Sequence, residues 1–241
     1  MKILAVDSSG MVASVAIVED DILVAEYNVN FKKTHSQTLL PMIDEISRMV
    51  ELDTATIDAI AVAAGPGSFT GLRIGSATVK GLAQALGKPV VAVPTVDALA
   101  YNLYGSSAVI CPLMDARRNQ TYTGIYEFVR TENAFAMNTI EEQCAVDVGE
   151  IIGVLNSLGR EVVFLGDGVP VFAEQIEKEL KVPHTYAPAF MNRQRAAALA
   201  VLAKEYFKDG KSQTAGEFVP IYLRLSQAER EQLEKEKQGA N

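Results

Sequence analysis

The stretch ILAVDSSG, residues 3–10, decides the fold that this sequence predicts. Its four apolar residues are followed by an aspartate and a turn-forming Ser-Ser-Gly, as expected for a short buried strand that ends in a tight turn. The stretch VICPLMD, residues 109–115, repeats the pattern of an apolar run closed by an aspartate. Asp7 and Asp115 thus hold the same place in two halves of the chain, 108 positions apart. This repetition indicates an internal duplication.

The residues that follow the first stretch predict a strand meander and then alternating helices and strands. Strands are expected at 3–6, 12–18 and 22–29, a helix at 39–50, a strand at 59–64, a helix at 69–86 and a strand at 90–93. In the first helix, apolar residues recur at three- and four-residue spacing. Ser36 or Thr38 is expected to cap this helix, with Pro41 near its first turn, where a missing N–H matters least. The predicted order is β-β-β-α-β-α-β.

The second half is predicted to be a looser copy of the first. A strand at 109–115 with a hairpin partner at 122–129, a later strand at 162–166 and an alanine-rich helix at 195–207 are expected. A duplicated βββαβα unit with an Asp-ended first strand in each copy describes a two-lobed α/β fold, the architecture of actin-like and sugar-kinase-like ATPases. The lobes are predicted at 1–105 and 106–224, with a boundary near Gly105, and residues 225–241 are predicted to form a charged C-terminal tail.

Length and composition limit the class of protein. The 241 residues are 49% hydrophobic, which suffices for one large domain or two small lobes at about 150 residues per domain. With 22 basic and 30 acidic residues, the net charge is −8 and the pI about 4.9, which argues against a chain whose main work is holding nucleic acid. No apolar run approaches the about 18–20 residues that cross a bilayer. The aspartate at position 7 interrupts what a secretion signal would continue, so a cytoplasmic protein is expected.

Both aspartate-ended turns depart from the pattern that binds nucleotide phosphates. Actin-like ATPases hold phosphates on two such turns, and glycine beside the aspartate lets backbone N–H groups approach the phosphate oxygens. Ser8 stands where the first turn needs glycine, and the second turn, DARR, has none. Asp7 and Asp115 are therefore weak candidates for a nucleotide site, and strand-end turn residues are the simpler interpretation. Gly166 and Gly168 could keep part of an adenosine-side loop and are equally weak candidates.

The most unusual stretch is GPGSFTGLRIG, residues 65–75, which leads from a predicted strand into a predicted helix. One interpretation is a phosphate cradle at a helix N-terminus, although neither the P-loop nor the Gly-x-Gly-x-x-Gly spacing is matched. The other is helix packing: Gly67, Gly71 and Gly75 are four residues apart, Gly81 follows, and each interior glycine costs about 1 kcal/mol relative to alanine. Close approach of another helix, internal or from another chain, would offset that cost. On this interpretation Gly75→Leu blocks pairing and leaves the chain folded.

The few histidines and cysteines limit metal and nucleophile chemistry. His35 and His184 are the only histidines of the sequence, so no His-x-x-x-His pair exists. A capping or turn role is expected for His35 and a surface-loop position for His184. Cys111 is expected in a buried strand as a small apolar residue, and Cys111 and Cys144 form no Cys-x-x-Cys, which favours a reducing compartment. No metal site, catalytic residue or cofactor is predicted.

Six motifs together resemble the TsaB (YeaZ) family. They are DSS at 7–9, HSQTLLP at 35–41, GPGSFTGLRIG at 65–75, KGLA at 80–83, DARR at 115–118 and PIYLR at 220–224. The resemblance runs from residue 1 to about residue 224 in the same motif order, and the eleven-residue block is its most specific part.

The resemblance implies a subunit of the bacterial machinery that makes threonylcarbamoyladenosine beside the anticodon of tRNAs reading codons that begin with A. In that family the subunit is not the catalyst. It pairs with its paralogue TsaD, which holds the metal and transfers the threonylcarbamoyl group, while the ATPase TsaE and a separate threonylcarbamoyl-adenylate synthase complete the system. Contact with tRNA is implied only within the complex. Where TsaD carries a His-x-x-x-His metal pair, this sequence places Asp97 and Tyr101.

The resemblance also implies that helices of the first lobe build the contact with TsaD, and a similar homodimer of the isolated chain. The candidate interface residues are Leu39, Met42, Ile43 and Ile46 on the first helix and Gly71, Leu72, Gly75 and Val79 on the second. The alternative function is an actin-like-fold small-molecule kinase or ATPase acting on its own, which would bind nucleotide and require Asp7 and Asp115. A metal hydrolase is a third possibility, disfavoured by two separated histidines.

Overall fold

The structure, a computed structural model, describes residues 1–224 of the chain. The strands of this part are β1 (Lys2–Asp7), β2 (Ala13–Glu19), β3 (Ile22–Val29), β4 (Ala59–Gly65), β5 (Val90–Pro94), β6 (Val109–Asp115), β7 (Gln120–Arg130), β8 (Phe135–Asp147), β9 (Val162–Leu165) and β10 (His184–Tyr186). The α-helices are α1 (His35–Met49), α2 (Phe69–Leu86), α3 (Thr95–Ala100), α4 (Val148–Leu158), α5 (Val169–Glu179) and α6 (Ala196–Lys208). The charged tail predicted at 225–241 lies outside the described residues.

Two five-stranded sheets repeat one topology. The first has the order β3-β2-β1-β4-β5, and the second, in the same direction of reading, has the order β8-β7-β6-β9-β10. In each sheet the first strand of the unit pairs antiparallel with the second strand and parallel with the fourth. The predicted duplication is thereby confirmed, and with it the α/β fold of actin-like and sugar-kinase-like ATPases.

The core explains why the strands are apolar on both faces. On one face of the first sheet, Leu4 and Val6 pack with residues of α1 and α2. On the other face, Ile3 and Ala5 belong to a cluster that includes α3, α6 and the facing side of the second sheet. Helices α4 and α5 cover the remaining face of the second sheet. Because β4 has helices or neighbouring strands on every side, all seven of its residues are buried.

The end of the described chain returns to the first sheet. Helix α6 packs on β1 and β2, and Gln213 exchanges two backbone hydrogen bonds with Val90 at 2.8 and 2.9 Å. The sheets change over between β5 and β6, and the lobe limits at 1–105 and 106–224 stay predictions. Among residues 1–224, no helix combines the length and apolar character needed to cross a membrane.

The first helix differs from its prediction at its start. It begins at His35, and the residue before it, Thr34, makes no side-chain capping bond. Ser36 and Thr38 lie inside the helix, so the predicted caps are wrong. Pro41 is the seventh helical residue and lies beyond the first turn. The helix begins early because the ring of its first residue, His35, contacts the Gly10 carbonyl oxygen, and this tertiary contact fixes the residue in place.

Candidate functional site

A cleft of about 410 Å³ lies where the two lobes meet. Four segments contribute to its walls: the first turn (Asp7–Gly10), the glycine loop (Gly65–Ser68), the second turn (Asp115–Asn119) and the crossing segment (Pro220–Arg224). Asp167 completes the wall on the side of the second sheet. Four of the most informative sequence motifs therefore converge on one place, and this cleft is the candidate site.

The Asp7 carboxylate points into the protein and holds the first turn together. Its Oδ1 accepts hydrogen bonds from the Ser9 N–H at 2.8 Å and from the Ser9 hydroxyl at 2.6 Å. Burial raises the pKa of the Asp7 carboxyl, although the two bonds from Ser9 act in the opposite direction. Ser9 and Gly10, and not the carboxylate, line the cleft. This geometry supports the interpretation of Asp7 as a turn residue.

The glycines at the start of α2 make room for the first turn of the same chain. A Cβ built on Gly67 would lie less than 3.0 Å from the Ser9 carbonyl oxygen, closer than real Cβ atoms come. On Gly71 it would be as close to the Ser8 carbonyl oxygen, and on Gly75 to the Ser8 hydroxyl. The Ser8 hydroxyl also donates to the Gly71 carbonyl at 2.9 Å. The helix-packing interpretation is therefore wrong for Gly67 and Gly75, which lie against the first turn; at Gly71 the nearest atom is again in this turn, and the ring of His35, the first residue of α1, lies 3.3 Å from a Cβ built there.

Gly81, six residues beyond Gly75 on α2, has different surroundings. Apart from its chain neighbours and its own helix backbone, no atom of residues 1–224 lies within 4 Å of a Cβ built on Gly81, and the residue is exposed. The surface over Gly81 is therefore open to a second molecule. The expectation that Gly75→Leu leaves the chain folded stays a prediction, but a side chain at this position would enter space held by the Ser8 hydroxyl.

The second turn closes without glycine by means of its own aspartate. Arg117, Arg118 and Asn119 have φ values of 65°, 58° and 59°, a left-handed conformation that residues with a side chain seldom adopt. Asp115 Oδ1 accepts the Arg117 N–H at 2.8 Å, and Oδ2 lies 3.0 Å from Arg117 Nη1. The Asp115 carboxylate thus holds the turn, in the same way as Asp7 holds the first one.

The glycines at 166 and 168 are explained by packing on β6. Gly166 has a φ of 110°, and a Cβ there would collide with the Leu113 carbonyl oxygen. The Gly168 N–H donates to the same carbonyl at 2.9 Å. Between these glycines, Asp167 Oδ1 accepts the Asp115 N–H at 3.3 Å, and burial raises the pKa of the Asp167 carboxyl. The predicted adenosine-side loop therefore has a structural explanation that needs no ligand.

The crossing segment ties the two lobes together. The Ile221 N–H donates to the Ala64 carbonyl at 2.6 Å on one side, and Arg224 Nη1 donates to the Ala116 carbonyl on the other. Between these ends Tyr222 packs on Phe69 of the glycine-rich motif, with ring centroids 4.7 Å apart. Sequence reasoning found PIYLR as a motif but missed its position, because its partners lie 108 or more positions away in the chain.

Five backbone N–H groups around the cleft are engaged within the chain. Those of Ser9, Ser68, Ala116, Arg117 and Gly168 donate to acceptors at 2.6–2.9 Å. A phosphate site of this kind depends on free amides that point at the anion. These five amides therefore hold the turns at the joint between the lobes and are not free to bind an anion.

The eight predicted interface residues lie in the core of the first lobe. Leu39, Met42, Ile43, Ile46, Gly71, Leu72, Gly75 and Val79 are all buried within the chain. A partner that docks on α1 and α2 would instead touch exposed positions such as Leu40, Arg73, Ala77 and Gly81. The interface itself stays a prediction, and its contact residues have to be chosen from this exposed set.

The two histidines have different structural roles. His35 Nε2 lies 2.8 Å from the Gly10 carbonyl oxygen, which joins the start of α1 to the first turn. His184 opens β10 and is 3.2 Å from Glu177 Oε1, so the predicted surface loop is wrong because parallel pairing with β9 draws this residue into the sheet. Cys111 lies in a buried strand, as predicted, and burial raises the pKa of its thiol to about 12.

A buried carboxylate stands where the resemblance places a metal-binding pair. Asp97 Oδ1 accepts the Tyr126 hydroxyl at 2.7 Å, and Oδ2 accepts the Tyr206 hydroxyl at 3.1 Å. Burial raises the pKa of the Asp97 carboxyl. Since both carboxylate oxygens accept bonds from phenols and a tyrosine stands at position 101, these two residues do not provide the pair of imidazole ligands that the resemblance implies for TsaD. Residues 1–224 hold no group of three His, Cys, Asp or Glu side chains that could bind a metal ion.

Comparisons with known proteins agree with one another. A family model described as TsaD, tRNA N6-adenosine threonylcarbamoyltransferase, matches residues 29–232. The tRNA threonylcarbamoyladenosine biosynthesis protein TsaB of Bacillus subtilis is 33% identical over 237 residues, which cover 98% of this chain and 100% of that protein. The TsaB protein of Escherichia coli is 30% identical over 231 residues, 93% of this chain and 95% of that one. The solved structure of YeaZ from Pseudomonas aeruginosa aligns with a TM-score of 0.77 and 26% identity, covering 92% and 99% of the two chains.

Proposed function

Since the chain belongs to the TsaB (YeaZ) family and matches the model of the wider TsaD family, we propose that it is a non-catalytic subunit. It takes part in tRNA threonylcarbamoyladenosine biosynthesis. In the proposed role it pairs with a TsaD-type catalytic chain and supports transfer of the threonylcarbamoyl group to the adenosine beside the anticodon, in tRNAs that read codons beginning with A. The ATPase TsaE and the threonylcarbamoyl-adenylate synthase are the further proposed partners.

The observation that carries the non-catalytic role is the state of the two aspartate turns. In each turn the carboxylate accepts hydrogen bonds from its own loop, Asp7 from Ser9 and Asp115 from Arg117. A phosphate that took up the Ser9 or Arg117 N–H would have to displace the bond that this amide already makes to its own aspartate, at a net cost of roughly 0.5–1.5 kcal/mol for each bond. The carboxylates that would face the nucleotide in a kinase of this fold instead stabilise the two turns between the lobes.

The proposed partner surface is the outer side of α1 and α2. Arg73, Ala77 and Gly81 follow one another along the exposed side of α2 at helical spacing, and Leu40 is exposed on the adjacent α1. A surface with small side chains lets a partner helix approach closely and bury more of its own apolar area. The open space over Gly81 supports this placement, since an interior glycine costs the free chain about 1 kcal/mol without an internal contact that requires it.

Contact with tRNA is proposed only within the assembly. The net charge of −8 works against independent binding of a polyanion, because phosphate contacts depend on clustered basic side chains. Arg117 and Arg118 are exposed on the second turn and are the basic pair that could reach RNA once a partner supplies the main binding surface.

The proposed partner surface is tested by introducing arginine at two exposed positions, Ala77 on that surface and Val171 away from it. Ala77→Arg places a large charged side chain on the proposed partner surface, and Val171→Arg places the same side chain on exposed α5 of the second lobe. We expect Ala77→Arg to weaken binding to TsaD from the same organism at least tenfold and to reduce tRNA modification in a reconstituted system. Val171→Arg is expected to change neither quantity.

Equal behaviour of the two variants would contradict the proposed surface. The rival function, an independent kinase or ATPase, is tested by titrating ATP and ADP against the isolated chain. Saturable nucleotide binding that Asp115→Ala abolishes would support the rival, whereas unchanged modification with Asp115→Ala would support the non-catalytic role.

A further inference from the structure

A second groove of the chain lies between α6 and the start of β8. It has a volume of about 1010 Å³, at the upper end of the about 300–1,000 Å³ that is usual for small-molecule sites. Asp97, Tyr101 and Tyr104 contribute a further wall. Among the described residues, this α6 groove shares none with the cleft of the candidate site. A ligand bound there would therefore not contact the two aspartate turns.

Asp97 is the charged residue of the α6 groove that lacks a counter-ion. The other charged residues of its wall form three ion pairs, which are Lys204 with Asp21, Lys208 with Glu205 and Lys211 with Asp209. Within residues 1–224, the Asp97 carboxylate forms no ion pair, and its hydrogen-bond partners are the neutral hydroxyls of Tyr126 and Tyr206. Asp97 is only 8% exposed, and an ionised carboxylate that is buried without a cation is unfavourable. The groove thus offers a place for a positive charge that the described residues do not supply.

The groups around Asp97 increase the need for a positive charge. Tyr126 of β7 and Tyr206 of α6 are neutral donors, and Glu142 of β8 carries a negative charge. Burial is the main cause of the raised pKa of the Asp97 carboxyl, and the charge of Glu142 acts in the same direction. A cation beside the carboxylate would oppose both effects and favour the ionised form.

The wall beside this carboxyl is aromatic. The ring centroids of Tyr101 and Tyr104 are 5.5 Å apart, and Phe135 packs edge-on against Tyr104 at 5.7 Å. Tyr104 is 47% exposed, so part of its ring is open to a ligand. Faces of aromatic rings attract cations, and an ammonium group of the chain already uses this attraction, since Lys211 Nζ lies 4.5 Å from the centroid of the Tyr206 ring. The wall therefore suits a cation that also carries apolar surface.

We propose that the α6 groove binds a small organic cation, a primary amine with an apolar body, whose ammonium group pairs with the Asp97 carboxylate. A carboxylate has about four lone-pair sites, so it can accept from an ammonium group while it keeps both phenol bonds. The apolar body would lie along Tyr104, Met137 and Val201 of the groove wall. This site is independent of the function proposed above, since its residues belong neither to the candidate site nor to the proposed partner surface.

The test is isothermal titration calorimetry of the full chain with benzylammonium, and with benzyl alcohol as a neutral probe of similar shape. We expect saturable binding of benzylammonium and at least tenfold weaker binding of benzyl alcohol. Because the cation pairs with the ionised carboxylate, its affinity is expected to rise from about pH 5 to about pH 8, as Asp97 loses its proton. No binding of benzylammonium at millimolar concentration, equal affinity for the two probes or an affinity that falls over this pH range would each overturn the proposal.

Variants of the chain locate the site. Asp97→Asn removes the charge at nearly unchanged volume and is expected to weaken benzylammonium binding at least tenfold, whereas Asp44→Asn, the same change at an exposed position of α1, is expected to leave it unchanged. Tyr104→Leu removes a half-exposed ring and is expected to weaken binding about threefold. Unchanged circular dichroism verifies that each variant folds. Unchanged affinity in folded Asp97→Asn or Tyr104→Leu, or an equal loss in Asp44→Asn, would contradict the assignment.

Discussion

Replacing Gly71 by alanine tests whether the first turn dictates the glycines of α2. Position 71 is the third residue of α2, in its first turn, and alanine is ordinarily the better choice in a helix. Here the added methyl group would lie less than 3.0 Å from the Ser8 carbonyl oxygen. Since that atom belongs to the backbone of a buried turn, it cannot move aside as a flexible side chain could.

The expected change in the free energy of unfolding is the sum of three contributions. Overpacking a well-packed site costs about 1–3 kcal/mol, and displacement of Ser8 loses its hydroxyl bond to Gly71, worth about 0.5–1.5 kcal/mol. The gain in helix propensity returns about 1 kcal/mol. Gly71→Ala is therefore expected to lower the free energy of unfolding by roughly 2 kcal/mol.

Gly81→Ala is the matched control on the same helix. In the described part of the chain, nothing outside the helix backbone lies within 4 Å of the new methyl group, so only the propensity gain remains and the chain is expected to be about 1 kcal/mol more stable. Urea and thermal unfolding followed by circular dichroism would then separate the two variants by roughly 3 kcal/mol, or about 6–12 °C in Tm. If Gly71→Ala were as stable as Gly81→Ala, the turn would not be what requires the glycine.

Three further predictions concern the lobes and their joint. Arg195→Ala leaves the mostly buried Glu26 carboxylate without its ion-pair partner and is expected to cost about 1–3 kcal/mol of stability by urea unfolding, with partial recovery when Glu26→Gln is added. Because the pKa of Asp97 is raised, the folded chain keeps the proton of this carboxyl to higher pH than the unfolded chain does. The stabilisation that the bound proton gives the folded state is complete below the unfolded pKa and is lost as the pH rises through the folded pKa. Asp97→Asn does not titrate, and its stability relative to the parent is therefore expected to improve as the pH rises above about 4, the usual pKa of an unfolded aspartate, in unfolding experiments; a pH-independent difference would contradict this. Arg224→Ala removes the bond to the Ala116 carbonyl and is expected to speed hydrogen exchange at the crossing segment, and an unchanged exchange rate would show that this bond does not hold the lobes together.

Part of the secondary structure followed from local patterns, whereas α3, α4, α5, β8 and β10 were not predicted. The helix at Phe69–Leu86 and the strands at Ile22–Val29 and Val109–Asp115 have the predicted limits, because glycine, proline and charged residues mark their ends. The repeated aspartate after the first strand of each half also predicted the duplication correctly. Patterns of this kind depend on residues close in sequence, which is why they could be found without a structure.

The site was predicted less well, because its contacts are between distant residues. Spacing showed that Gly67, Gly71 and Gly75 share one face, but it could not show that Ser8 and Ser9 lie against that face. The same limit applies to the eight interface candidates, since an apolar helical face turned toward the chain's own sheet has the same spacing as one turned toward a partner.

The central claim is that this chain supports tRNA modification without contributing catalytic groups. The most direct measurement is threonylcarbamoyladenosine formation in a system reconstituted from synthase, TsaD and TsaE of the same organism, run with and without this chain and with its Asp115→Ala variant. We expect formation to depend on the chain and to proceed equally with the variant. Equal formation without the chain would contradict its role in the pathway, and dependence on the Asp115 carboxylate in a folded variant would contradict the non-catalytic assignment.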